Sequence, residues 1–451
     1  LEQVALLFRQ IYMKKIIWLF IFMTSGCGLT EIDTSSLTSE DNSNGQEDLE
    51  LAGIINQNSL TRLPTLASES AAIVKLGETL FSDVNLSGNR NTSCLSCHNT
   101  NEGSVDRLPL SIGAGAEGIG STRKQINGVS TATNRNSPAL FNLGLSNQLH
   151  AFFDGRVSFI NGVVDSPVSQ INGTSPLRSD IKAQFKNVFD VQTLFPLLSE
   201  IEMLGTNNSL SLLNDSVSIW DSILNDRLLN QNEYVQLFNN AYPNTATENL
   251  NVGHVGRALG AFIKTRFRSA NAPIDRYLAG DLEALSTSQK RGMILFYTRA
   301  QCVRCHSGAL FTDGQFHSSG VPQISLSPFT DDVGRSAETG NSQDIYRFKT
   351  PSLRNISLTA PYMHNGAFDS LEALVNHYSN ISRSLQNYTI PASYQSHYQS
   401  ILVKDSSAQR NQTRLNQVDN RALRRGLNLT AQEQQFLVDF LRVGLRDENF
   451  K

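Results

Sequence analysis

The hydrophobic positions of this chain recur with a helical period. Ile73, Leu76, Gly77, Leu80 and Phe81 stand at i, i+3, i+4, i+7 and i+8, which puts one apolar face on an amphipathic helix. Val255, Ala258, Leu259, Phe262 and Ile263 predict a second helix over about 255–267. Leu371, Leu374, Val375 and Tyr378 share a third stripe, with His377 turned about 100° away beside Ser370 and Ala373. Ser286 with Gln289, and Thr430 with Glu433, read as capping boxes. The second of these opens a helix expected to bury Phe436, Leu437, Phe440 and Leu441. An internal repeat runs through the pattern: Gly77-Glu78-Thr79-Leu80-Phe81 returns as Gly292-Met293-Ile294-Leu295-Phe296. No run alternates convincingly, so the expected fold is mainly α, with long loops and little strand.

Other stretches lack this period. Met13-Lys14-Lys15, the apolar run Ile16 to Met23 and Thr24-Ser25-Gly26-Cys27 make residues 1–27 read as a signal peptide. The run is too short to span a bilayer of about 30 Å. Its end resembles a bacterial lipobox, with Cys27 as the lipidation site and Gly28 after it. The expectation is an exported, periplasmic protein, lipid-anchored to the outer membrane and touching membrane only through that anchor. Residues 28–58 are polar and read as a flexible tether. Residues 158–192 and 382–418 are rich in Ser, Asn and Gln and read as loops. At 451 residues the chain is long enough for two or three domains. Lys and Arg number 38 against 41 Asp and Glu, a balance that argues against a nucleic-acid binder held by phosphate contacts.

Beyond Cys27, the four remaining cysteines form Cys94-Leu95-Ser96-Cys97-His98 and Cys302-Val303-Arg304-Cys305-His306. Each is the C-x-x-C-H pattern of c-type haem attachment. Two thiols about one helical turn apart can bond the two vinyl groups of one porphyrin, and the His that follows becomes the proximal iron ligand. A structural zinc site would need four ligands around one metal, whereas these pairs lie some 200 residues apart in the chain. A thioredoxin-type pair needs no His after its second Cys. The expectation is two covalently bound haem c groups, with His98 and His306 on the irons. They would sit in two cytochrome c-like domains packed together, 59–272 and 273–451.

Four further stretches separate the chain from a simple electron carrier. They are Arg135 to Asn142, Phe153-Asp154-Gly155-Arg156, Pro196 to Met203, and Leu353 to His364. With the two haem motifs, they make residues 63–445 resemble the bacterial di-haem cytochrome c peroxidase and MauG family. The resemblance implies that the N-terminal haem reacts with hydrogen peroxide. Electrons would enter at the C-terminal haem from a small donor such as a cytochrome c or cupredoxin. Glu202 takes the position of the family's distal glutamate, with Glu200 as a neighbouring rival; a carboxylate there can move the proton that O–O cleavage requires. The resemblance also implies a calcium ion held by Asn136 and the carbonyls of Thr359 and Pro361, an all-oxygen set suited to a hard cation. Family members are often homodimers.

Three positions depart from the family pattern. Ala114 stands where many members carry a distal His, which predicts an open, high-spin N-terminal haem; His150 is off that position. Tyr378 stands where typical peroxidases have Met and MauG-type proteins have Tyr, as sixth ligand of the C-terminal haem, with Met363 a rival. Phe153 replaces the usual inter-haem Trp, and Phe is harder to oxidise. The leading expectation is therefore an exported di-haem peroxidase. Its rivals are a MauG-like oxidase of a protein or organic substrate and a non-enzymatic electron-transfer lipoprotein.

Overall fold

Helix Ala71–Ser82 crosses helix Val252–Arg266 at Gly77, where a β-carbon would stand 2.0 Å from the Ala258 carbonyl oxygen. Helix Thr287–Tyr297 meets helix Ala431–Asp439 in the same way: a β-carbon on Gly292 would lie 2.0 Å from the Phe436 oxygen. In both crossings a further obstacle, at 2.8 Å, is the β-carbon of a phenylalanine, Phe262 or Phe440. Those rings pack on the phenylalanine that ends each repeat: Phe81–Phe262 at 5.1 Å and Phe296–Phe440 at 5.7 Å between centroids. The internal repeat is thus a packing repeat, in which glycine lets two helix backbones approach. Gly77→Ala and Gly292→Ala should each cost about 1–3 kcal/mol by overpacking, read as a lowered midpoint in thermal unfolding.

The computed structural model describes residues 44–126, 132–145, 147–173, 175 and 177–450. Cys27 and the rest of the proposed signal segment lie outside the described residues, as does the first part of the tether. From Gln46 onward the chain forms one compact unit. Among the described residues no helix is long and apolar enough to cross a membrane. The fold is mainly helical, as expected, with a few short strands.

Helix Val252–Arg266 starts earlier than its apolar period suggests, because the Asn251 side chain accepts the Gly253 N–H at 3.0 Å and caps it. The Thr430–Glu433 capping box forms at the start of Ala431–Asp439. That helix buries Leu437 and Val438, leaves Phe436 half-buried, and runs on into a wider turn, Phe440–Gly444, with Phe440 and Leu441 inside.

Three expectations need correcting. The end of the tether is ordered: Asn44–Gln57 is a helix that buries Leu51, Ile54 and Ile55. Asp48 on it takes the Lys290 ammonium at 2.8 Å and the Tyr277 hydroxyl at 2.7 Å. A short apolar stripe inside a polar run, closed by a buried ion pair, is what the composition concealed. The loops 158–192 and 382–418 also contain regular structure. The first continues the hairpin Val157–Ile160/Val163–Asp165 and adds helix Val188–Gln192. The second contains helices Ile381–Asn387 and Ala408–Gln417 and strand Leu402–Lys404, which pairs with Ile324–Leu326. Its anchor is Arg414, 1 % exposed, bound to Asp405 at 2.7 Å and to Asp331. The strands escape sequence reading because each is only two to four residues long.

Candidate functional site

Cys94 and Cys97 begin and end a single helical turn, Cys94–Cys97, capped by Ser93 with Ser96. The His98 ring follows, and its Nδ1–H donates to the Ser104 carbonyl at 3.0 Å. The second motif repeats the device on the turn Cys302–Arg304: Nδ1–H of His306 donates to the Phe311 carbonyl at 3.0 Å. A carbonyl can only accept, so both rings are fixed as the Nδ1–H tautomer and present the Nε2 lone pair. Burial holds both imidazoles down to about 4, which keeps them neutral. Such a carbonyl bond on the far nitrogen is how metal-ligating histidines are oriented.

The cysteines argue against redox-active dithiols. All four are free, and burial pushes the thiols of Cys94, Cys97 and Cys302 up to about 12, whereas a reactive cysteine needs a lowered one. Paired thiols beside a neutral, oriented imidazole suit a c-type haem at each motif.

Glu202 lies beside the first motif, close enough for its carboxylate to disfavour ionisation of Cys97. Burial is the largest influence on its own carboxyl and pushes it above the ordinary range, against the pull of Arg156, Ser199 and Arg135. Glu200 is exposed. The loop carrying Ala114 packs on the same segment: the Ala114 N–H donates to the Ile201 carbonyl at 3.0 Å, and Ala114 is 4 % exposed. Cys97 Sγ lies 3.8 Å from the Ile112 oxygen of that loop. Cys94, Cys97, His98, Ala114 and Glu202 are therefore one constellation.

Tyr378, near the end of helix Leu371–Ser379, faces the second motif. Burial pushes its phenol far up, Ser319 opposes this, and Cys305 and Cys302 lie within electrostatic reach. His377 is itself fully buried, with both ring nitrogens engaged, on Ser384 Oγ at 2.9 Å and the Ser319 carbonyl at 3.1 Å. Met363 sits in a turn at φ 75°, closed by the Gly366 N–H on its carbonyl.

Asn136 joins the two halves of the chain. Its side-chain amide lies 2.9 Å from the Leu108 carbonyl and 3.2 Å from that of Pro361, and it is buried. The Thr359 hydroxyl is spent on the Ile356 carbonyl. Phe153 lies at the same seam: its carbonyl accepts the Lys349 N–H at 2.7 Å from strand Phe348–Lys349.

A relative described as cytochrome-c peroxidase IdrP2, from Denitromonas iodatirespirans, is 30% identical over 344 residues, covering 71% of this chain and 77% of its own length. The chain belongs to the di-haem cytochrome c peroxidase family. The family profile of that description matches residues 71–283. The methylamine utilization protein MauG of Methylorubrum extorquens is also 30% identical, over 307 residues and 68% of each chain. Among solved structures, a MauG-like protein associated with microbial copper homeostasis superposes with a TM-score of 0.57 at 26% identity. The match covers 86% of this chain and 93% of the other. The di-haem peroxidase BthA of Burkholderia thailandensis, at 18% identity and a TM-score of 0.55, shares the fold; that match covers 87% of this chain and 90% of BthA.

The stretches that mark this di-haem peroxidase family member stand out in the sequence, but the contacts of most of their residues do not. Arg135 binds Asp154 at 2.5 Å and Asp332 at 2.6 Å, and Arg156 binds Asp154 at 2.8 Å. This ion-pair net lies beside Glu202, and its two arginines oppose the effect of burial there. Nothing in the sequence singles out Lys349. Its ammonium is held down to about 8 by burial, a cation placed in the seam over the Phe189 ring at 5.8 Å with no offsetting carboxylate among the described residues.

Proposed function

We propose that this di-haem peroxidase family member reduces hydrogen peroxide to water at the site built on His98. Electrons enter at the site built on His306, from a small donor protein such as a cytochrome c or cupredoxin. Glu202 carries the reading: a half-buried carboxyl whose partial desolvation raises its affinity for protons, beside the first haem motif. Reduction of one peroxide to two waters consumes two electrons and two protons. When bound, each haem supplies an iron that can take an oxygen ligand and pass single electrons. Cys94 and Cys97 would hold one by thioethers and Cys302 and Cys305 the other, with His98 and His306 as the imidazoles that would ligate the irons. Glu202 takes a proton from one peroxide oxygen and returns it to the departing one. Arg156 and Arg135 oppose that rise and so favour the carboxylate form that a base requires.

Ala114 has no atom that can ligate iron, so a haem at the first site would be left open to peroxide without reductive activation. The ferric protein should show a high-spin component in its absorption and EPR spectra; a wholly low-spin, six-coordinate spectrum would overturn this. Tyr378 would supply an oxygen donor to the iron of the second haem, and such a donor favours the ferric state where a Met favours the ferrous. Tyr378→Met should therefore raise the potential of that haem, measured by spectro-electrochemistry, and move its ferric spectrum. Asn136 with the carbonyls of Thr359 and Pro361 would hold a calcium ion only if the Asn136 amide, which donates to the Leu108 and Pro361 carbonyls, turned to present oxygen; such neutral donors suit a hard cation. The haem domains are taken as 59–272 and 273–451, and the protein as exported, with Cys27 lipidated.

Steady-state oxidation of a reduced small cytochrome by hydrogen peroxide tests the main reading. Tyr378 and Ala114 together support a second, a MauG-like oxidase that withdraws electrons from a protein or organic substrate. That reading predicts peroxide consumption that no small cytochrome accelerates.

A further inference from the structure

We infer that the segment 382–418 holds the peroxide site in register, with Tyr398 a positioning residue that fixes the loop 108–125 and, through it, Glu202. The inference rests on the reading of Glu202 as the proton-transfer group.

The loop 108–125 has almost no regular structure; its ladder contacts are isolated bridges such as Ile112 with Ala132. A buried segment of this kind needs its peptide groups satisfied from elsewhere. Tyr398, 288 residues along the chain, does so at Leu110: its hydroxyl accepts the Leu110 N–H at 3.0 Å and donates to the Leu110 carbonyl at 2.5 Å. Both residues are buried. The neighbours of Tyr398 grip the far end of the loop. The His397 carbonyl accepts the Gln125 N–H at 3.1 Å, and the Gln399 N–H donates to Gln125 Oε1 at 2.9 Å.

Between those two ends Arg123, 1 % exposed, donates to the carbonyls of Ile112 at 2.5 Å, Gly113 at 2.6 Å and Gly118 at 2.8 Å. The loop then presses directly on the Glu202 segment. Ala114 N–H bonds the Ile201 carbonyl, and a β-carbon on Gly113 would stand 1.8 Å from that oxygen and 2.8 Å from Glu202 Cα. An unbroken series of contacts therefore runs from Tyr398 to the backbone of Glu202. A shift of about 1 Å in such a group can cost on the order of 10² in rate, so the hydroxyl of Tyr398 bears on chemistry it never touches.

The test uses the full-length protein with both haems loaded and follows its reaction with hydrogen peroxide by stopped flow across pH. Tyr398→Phe should lower the second-order rate constant by about tenfold. It should also move the acid limb to lower pH, because water reaching the loosened segment relieves the burial of Glu202. The charged and titratable groups facing that carboxyl, Arg156, Arg135, Asp154 and Cys97, are common to variant and parent. Tyr388→Phe is the control. It removes a hydroxyl of the same segment that bonds the Ala367 carbonyl, at 2.8 Å, rather than a residue of the loop, and should keep both rate and limb. If Tyr398→Phe does not fold, Gln125→Ala, which removes the acceptor of the Gln399 N–H and leaves bonds to the loop's backbone at that end, carries the same expectation in the same direction. An unchanged rate and limb in Tyr398→Phe overturns the inference. Glu202→Gln run alongside separates the two failures: if it too reacts at the parent rate, the reading of Glu202 falls and this inference with it.

Discussion

Glu202→Gln should lower the second-order rate constant for hydrogen peroxide by roughly 10²–10⁴, the range for loss of a positioned general base. The amide keeps the size of the side chain and cannot take a proton from peroxide. The pH profile gives the assignment a signature of its own. Burial raises the proton affinity of Glu202, so the carboxylate required as base is lost, as pH falls, at a pH above the ordinary carboxylate range. The parent's rate should decline through that raised value, and the variant's residual rate should be flat there. Stability should move the other way. A carboxyl raised in the folded state makes folding less favourable above its ordinary range and leaves it untouched below. The amide escapes that cost, so the melting temperature near neutral pH should not fall. A variant that loses both rate and stability would mark Glu202 as structural. Stopped-flow absorbance and thermal unfolding decide between these outcomes.

The features that recur with a fixed spacing are legible in the chain. The haem motifs, the stripe containing Leu76, Leu80 and Phe81, and the capping box at Thr430 each depend on residues three or four apart, and the local structure each implies is present. Gly77 and Gly292 are visible as a repeat, but their purpose is not, because the carbonyls they accommodate, on Ala258 and Phe436, lie far along the chain. The same limit hides the helix Asn44–Gln57. Its Leu51, Ile54 and Ile55 are too few to outweigh a polar composition, and the partners of Asp48, Tyr277 and Lys290, are more than 200 residues away. The candidate site divides along the same line. His98 and Glu202 can be named from motif register, whereas Tyr398 cannot, since a tyrosine in a Ser- and Gln-rich stretch shows nothing until Leu110 is beside it. Periodicity reports the near neighbours of a residue; distant ones become visible only once the chain has closed on itself.

Arg354→Leu should destabilise the protein by about 3–5 kcal/mol, the cost of removing one partner from a buried ion pair. Arg354 is 2 % exposed and holds Asp275 with two parallel bonds, at 2.7 and 2.9 Å, while its Nε donates to the Ala309 carbonyl at 2.7 Å. Asp275 also caps a helix, since its Oδ2 accepts the Ala272 N–H at the start of Pro273–Tyr277. Deleting the guanidinium thus leaves a buried carboxylate whose hydrogen bonding, among the described residues, is reduced to that N–H, and Ala309 loses its donor three residues after His306. The loss comes mainly from the stranded charge, so removing the second partner should recover much of it. Asp275→Leu combined with Arg354→Leu is expected to be more stable than Arg354→Leu alone, as replacement of a whole buried pair by apolar side chains often is. Chemical denaturation of the two single variants and the double variant measures this directly. Equal losses in Arg354→Leu and the double variant would place the energy in the Ala309 contact. That bond adjoins the loop whose Phe311 carbonyl orients His306, and the second haem's spectrum should then change together with stability.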